Sequence, residues 1–403
     1  MRRRIAQLVI FLFAIALFVP STAAAGGPDT NTLPVRDPQT PRELRMAGAT
    51  PLATEATIPH WHGQFTDPTT GVSYGYNMVG SEDPRNVGAG TTTIPVDIIP
   101  LRLSFEANNG FALDGTNELG LTLASPIFQR SDFSYTAHSF GGAGVLSPGN
   151  VGVQYADAYM RSQFDKTGTD YHLVLAPSVR PTQSFTVPAS KGTAYINTLG
   201  VIFGTVDVVW IDTHVQELLG QLHIDPTHLT IFLTANVVVV DHFGGWFLGY
   251  HSADHSANGN GVQGVKTYIY ATYVRAGLFT ELVEYLKDIH TLSHEIAEWV
   301  ADPFIDNEVD PAFAASYLVS DCLPLLEVGD AVDFIGFTML GNPDPRVATT
   351  GTWHLEDEVF LPWFARESPN VTSQPLQSGT GRRYTFMGDL NPFPIFRGPA
   401  PHC

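Results

Sequence analysis

The stretch from Thr280 to Pro303 constrains this chain more than any other. Over Thr280–Ala301 the apolar residues Leu282, Leu286, Ile289, Ile296 and Val300 recur at helical spacing, which predicts a helix with one face set into a core. Glu281 and Glu284 suit the positive end of its dipole, and Pro303 stops it. Beside the apolar stripe, His290, His294 and Glu298 stand four residues apart and stack along one flank. Glu295 lies about 100° round from His294 and about 60° from Glu298 in projection. One helix therefore offers an imidazole and a carboxylate to a single ion, with a second carboxylate alongside.

His294-Glu295-x-x-Glu298 has the layout of the zinc-peptidase motif H-E-x-x-H, with Glu298 in place of the second histidine. In that motif the histidines hold zinc and the intervening glutamate accepts a proton from water. A carboxylate oxygen sits at about the same distance from zinc as an imidazole nitrogen, roughly 2.0–2.2 Å. The exchange therefore keeps a metal site, although a harder and more anionic one that also admits manganese or calcium. His294 and Glu298 are candidate ligands, zinc the expected ion, and Glu295 the candidate general base. The bland alternative is a solvated flank whose His and Glu pair with each other.

Arg2, Arg3 and Arg4, the apolar run Ile5–Val19 and the small residues Ala23–Ala25 together read as a secretory signal peptide over residues 1–25. That run is too short to span a bilayer, and no later stretch spans one either. Loss of the three arginines takes the formal charge from −19 to −22. A chain this acidic has no electrostatic hold on a nucleic-acid backbone, and it suits a soluble extracellular monomer. Cys322 and Cys403 are the two cysteines; in an exported chain they can pair, and no disulfide framework is available.

Residues 26–57, rich in Pro, Thr, Asp and Arg, read as a flexible leader, with order beginning at "IPHWHGQF". Residues 58–190 read as a β-rich region. "TTTIPVDIIPLRLSF" (Thr91–Phe105) is a strand that Pro95 and Pro100 push toward a sheet edge. Val153–Phe164 predicts a helix and "YHLVLAPSV" a buried strand. From Thr193 strands and helices alternate: "GVIFGTVDVVWI", a helix "DTHVQELLGQL" capped by Asp212, the strand "HLTIFLTANVVVV", and "KTYIYATYV" (Lys266–Val274) with one wet face. The division near residue 190 marks either a domain boundary or a surface loop within one domain.

"SHEIAEWVADP" resembles the H-E-[LI]-A-E-x-x-[TS]-[DN]-P stretch of secreted proteins related to the plant Exordium (phosphate-induced protein) family. "GYHSA" (Gly249–Ala253) and "EVGD" (Glu327–Asp330) resemble segments on either side of it in that family. The resemblance covers about residues 236–330. It departs at Ala301, where Thr or Ser is usual, and at Cys322, which precedes "EVGD" instead of following it. It implies an α+β fold with a zincin-like metallopeptidase domain over residues 191–403. In such a domain a twisted mixed sheet has its edge strand, Lys266–Val274, beside the active-site helix. It also implies a third metal ligand from "EVGD", either Asp330 or Glu327; with Asp330 as ligand, Glu327 steadies it or His294 from behind.

His251 and His255 read as polar loop histidines, with a cleft role for His251 as the alternative, and Asp302 reads as a helix end. "GNGVQG" (Gly259–Gly264) precedes a strand instead of opening a helix, so it is no dinucleotide site, and no G-x-S-x-G occurs. "HWH" (His60–His62) reads as an entry strand, and Asn370 is a glycosylation sequon in a eukaryotic host only. In "HLEDEVFLPWFAR" (His354–Arg366), Val359, Phe360, Trp363 and Phe364 fall on one helical face and read as core. The expected function is a secreted metal-dependent hydrolase of extracellular peptide or cell-wall substrate. The alternative is a non-catalytic wall- or carbohydrate-associated protein on the same scaffold.

Overall fold

The computed structural model describes residues 50–51, 55–134, 136–138, 143–144, 150–242, 244–255, 264–279, 286–315, 320–347, 351–368, 384–387 and 394–403. The expected signal peptide, most of the leader, residues 280–285 of the expected helix, most of "GNGVQG" and Asn370 lie outside them. The fold is mixed α+β, with more strand than helix, and no helix among the described residues is long and apolar enough to cross a membrane.

One seven-stranded sheet organises the chain. Its strands are β1 (Thr91–Phe105), β2 (Phe111–Asp114), β3 (His172–Val179), β4 (Gln183–Val187), β5 (Leu229–Ala235), β6 (Gly249–Asp254) and β7 (Lys266–Tyr273). β3 and β4 follow one another along one side of β1, and β5, β7 and β6 extend from the other. β2 and β6 run antiparallel to their neighbours; the remaining pairings are parallel. The regions on either side of residue 190 thus supply strands to one sheet, and the division there does not separate two sheets.

The prolines of β1 do not place it at an edge. β1 is the longest strand and is flanked on both sides. Pro95 lies one residue before β5 joins at Val96. Pro100 is the last residue in register with β5, and it sits between the end of β3 at Ile98 and the start of β4 at Leu101. Both prolines therefore mark places where a neighbouring strand starts or stops, where a missing N–H is tolerated.

β7 has no wet face either, because it is internal and buried along its whole length; β6 is the edge strand. Its residues alternate between two cores. Ile269, Ala271 and Tyr273 join Leu292, Ile296, Trp299 and Val300 of the helix α3 (His290–Ala301), together with Ala156 and Tyr159 of α1 (Tyr155–Gln163). Tyr268 and Tyr270 join Ile211, Val215, Leu218 and Leu219 of α2 (Val208–Gln221) on the opposite face. Trp299 is fully buried and donates from Nε1 to Thr267 Oγ1 at 2.9 Å, which pins α3 to β7.

The central helix is shorter than its apolar stripe predicts. It begins at His290, because Asp288 adopts φ 43° and forms a bridge with Val274. Leu286 and Ile289 are buried but precede the helix. The chain after Asn236, itself at φ 53°, leaves the main sheet, so "HLTIFLTANVVVV" is two strands in different sheets. "HLEDEVFLPWFAR" also divides, into β8 (Thr352–Glu356) and a short helix Leu361–Phe364, with the four expected core residues all buried. The expected buried strand at 172–179 is exposed over its second half. Cys322 and Cys403 are disulfide-bonded, tying the last residue to the strand Ser320–Leu325.

Asp207, not Asp212, caps α2, accepting from the Trp210 N–H at 2.9 Å. Asp212 is buried within the helix and accepts from Tyr268 Oη at 2.7 Å and Gln216 Nε2 at 2.9 Å. Burial pushes its carboxyl up to about 6. The folded state therefore holds this proton more tightly than the unfolded chain, and stability falls as pH rises from about 4 to about 6. Asp212→Asn removes that slope. Urea unfolding should show the variant gaining on the wild type by about 2 kcal/mol between pH 4 and pH 7.

Candidate metal centre

Four elements converge on the flank of α3. All twelve residues of the helix are buried, between β6 and β7 on one side and β8 on the other. The chain leaving the helix turns sharply, with the Asp302 carboxylate accepting from the Asp306 and Asn307 N–H groups. The segment Glu327–Asp330 then returns to the helix: the N–H groups of Gly329 and Asp330 both donate to Glu298 Oε1 at 3.1 Å. A Cβ on Gly329 would lie 2.5 Å from His294 Nδ1, so only glycine allows this approach.

With Oε1 anchored, Glu298 Oε2 faces His294 Nε2 at 3.2 Å, and Asp330 Oδ1 lies 3.8 Å from the same nitrogen. Glu298 Oε2 is buried without a hydrogen-bond partner. His294, Glu298 and Asp330 thus form a group whose ligand atoms lie within 4.8 Å of one another. Ligands about 2.0–2.1 Å from a tetrahedral ion stand roughly 3.3 Å apart, so the spacing and the donor set fit a divalent cation. The structure brings His294, Glu298 and Asp330 together, and Glu295 stands beside them. Glu327 differs: its Oε2 lies 4.0 Å from His251 Nε2 on β6.

Sequence reasoning missed two residues. Glu356, at the end of β8, approaches His294 Nδ1 at 2.9 Å and His290 Nδ1 at 3.3 Å, and its own N–H donates to Ser293 Oγ. It accepts the Nδ1 proton of His294 and so turns Nε2 toward Glu298 and Asp330. The signal was the acidic run Glu356-Asp357-Glu358, which is wholly buried. His251 is no loop residue: it lies on β6, fully buried, with Nδ1 3.7 Å from Glu295 Oε2 and 3.6 Å from Glu298 Oε2. Its Nε2 donates to the Asp302 carbonyl at 3.1 Å. The alternation of "GYHSAD" was the available signal. His290 is buried against Glu356, whereas His255 is an exposed residue near Glu55.

The charges shape one another. Burial would raise the Glu298 carboxyl, but the His294 and His251 imidazoles hold it below the ordinary carboxylate range. Burial would lower His294, yet Glu298 and Glu356 carry it well above its usual value. Burial raises Glu295, and pushes Glu356 up to about 7 and Asp302 up to about 7. His290 is pulled well below its usual value by burial, with His294 adding to the effect.

A cavity of about 20 Å³ opens beside the cluster, lined by Leu248, Gly249, His294, Glu295, Asp333 and Glu356 among others. That is room for one water molecule. Gly249 is the close approach here: a Cβ on it would lie 2.8 Å from Glu295 Oε1.

Elsewhere, Asp67, Asp310 and His402 also lie close together, but Arg366 bridges the two aspartates at 2.7 and 3.2 Å and already supplies a cation. No family model, curated protein or solved structure matches the chain.

Glu356→Gln keeps an acceptor for His294 Nδ1 but removes the negative charge behind the ring. Metal titration of the variant should give an affinity about 10–100-fold weaker than wild type, with the fold retained by circular dichroism.

Proposed function

We propose that this chain is a secreted, metal-dependent hydrolase of extracellular peptides with a zincin-like active centre. In this reading His294, Glu298 and Asp330 hold zinc and Glu295 is the general base. The observation that carries it is the convergence of His294 Nε2, Glu298 Oε2 and Asp330 Oδ1, with Glu298 Oε2 buried and lacking a hydrogen-bond donor. The Exordium-like stretch supports the same reading, and the basic, apolar and small-residue order of the first 25 residues supports export.

Zinc bound there would supply a Lewis acid that polarises water or the scissile carbonyl. The chain's own residues supply the rest. Glu295 Oε1 lies against Gly249 at the water-sized cavity, placed to take a proton from water and deliver it to the leaving amine. Its raised pKa brings it nearer the working pH of a general base. Glu356 fixes the His294 ring, and the Gly329 and Asp330 N–H groups fix Glu298.

One observation favours a second reading, a non-catalytic wall-associated protein with a structural metal. Glu298 and Asp330 are fully buried and the adjoining cavity admits only one water, as in closed structural sites. Glu295→Gln separates the two. The hydrolase reading expects divalent metal in the native protein, turnover of a peptide pool that chelation abolishes, and a loss of at least 100-fold in Glu295→Gln with metal retained at His294. Metal-loaded wild type with no turnover over a broad substrate panel favours the structural reading. A folded native protein without bindable metal overturns both.

A further inference from the structure

The site at His294 leaves a second set of ligand atoms unexplained. His251, Glu295 and Glu298 form their own group within 4.8 Å, separate from the group of His294, Glu298 and Asp330, and all three side chains are buried. Because Nε2 of His251 donates to the Asp302 carbonyl, Nδ1 is left facing Glu295 Oε2 and Glu298 Oε2. At 3.7 and 3.6 Å these contacts are too long for hydrogen bonds, and none of the three atoms has a hydrogen-bond partner. A buried imidazole facing two buried carboxylate oxygens is costly unless a cation joins them. Their spacing is close to the edge of a coordination shell.

We infer that the centre is binuclear, with a second divalent transition-metal ion held by His251 Nδ1, Glu295 Oε2 and Glu298 Oε2. Glu298 bridges the two ions through Oε2, which lies 3.2 Å from His294 Nε2 and 3.6 Å from His251 Nδ1. Its other oxygen is occupied by the Gly329 and Asp330 N–H groups, which fixes the bridge. This explains the glutamate of H-E-x-x-E: a neutral histidine at position 298 would serve one ion, whereas a carboxylate serves two. The nitrogen donor favours zinc, cobalt or manganese over calcium. Glu295 then divides its work, with Oε2 toward His251 and Oε1 against Gly249 at the cavity. The inference rests on the metal-centre reading above and adds the second ion to it.

The test is metal stoichiometry on the full chain. Apoprotein prepared by chelation is titrated with Zn²⁺, and bound metal is counted by elemental analysis after desalting. Two equivalents are expected for wild type and one for His251→Ala and for His251→Gln. One equivalent in all three overturns the second site and leaves the His294 site standing; none in wild type overturns both. Two equivalents in folded His251 variants also overturn it, because the second ion then lies elsewhere. Should both variants unfold, Co²⁺-loaded wild type decides: an exchange-coupled pair in electron paramagnetic resonance supports the shared Glu298, and two uncoupled ions or a single ion overturn it.

Discussion

The constraint on which this structure turns is the burial of carboxylates whose ionic partners are imidazoles. Glu295, Glu298 and Glu356 are at most 3 % exposed, and the ion pairs they make among the described residues go to His251, His290 and His294. Glu327, Asp330 and Asp333 are buried around them. An isolated buried carboxylate is among the most unfavourable groups a fold can contain, and it takes up a proton or a cation. The raised Glu295 and Glu356 carboxyls are the proton response; Glu298, which the His294 and His251 imidazoles hold below the ordinary range, is the member of the cluster that keeps its charge.

The fold assembles this cluster from segments far apart in sequence. β6 lies at the edge of the sheet and delivers His251, α3 delivers His294, Glu295 and Glu298, the return segment delivers Glu327 and Asp330, and β8 delivers Glu356. Apolar packing against one face of β7, with the Trp299–Thr267 hydrogen bond, positions the helix. Deleting a side chain the size of Trp299 from such a core costs about 3–5 kcal/mol, far more than the loss of one metal-orienting hydrogen bond. The apolar packing is thus the scaffold on which the unfavourable polar cluster depends.

Much of the centre was legible because it is local. His294, Glu295 and Glu298 share one helix, and helical spacing alone sets their mutual geometry. Asp330 was reached through the resemblance, not through spacing. The contacts of His251 and Glu356 with the helix were not legible, although a cleft role for His251 stood as an alternative, because strand register and sheet order bring them there, and neither is encoded in a short window. Pro95 and Pro100 misled in the same way: a proline reads as an edge signal until the start and end of each neighbouring strand are known. Asp212 looked like a helix cap because its burial against Tyr268 is a contact across 56 positions.

The most direct measurement is an anomalous difference map from crystals of the metal-loaded protein, collected at the zinc edge. The account predicts a peak between His294 Nε2, Glu298 Oε2 and Asp330 Oδ1, within about 2.0–2.2 Å of each. A well-ordered, metal-replete crystal with no peak there, and with His294 hydrogen-bonded directly to Glu298, would contradict it.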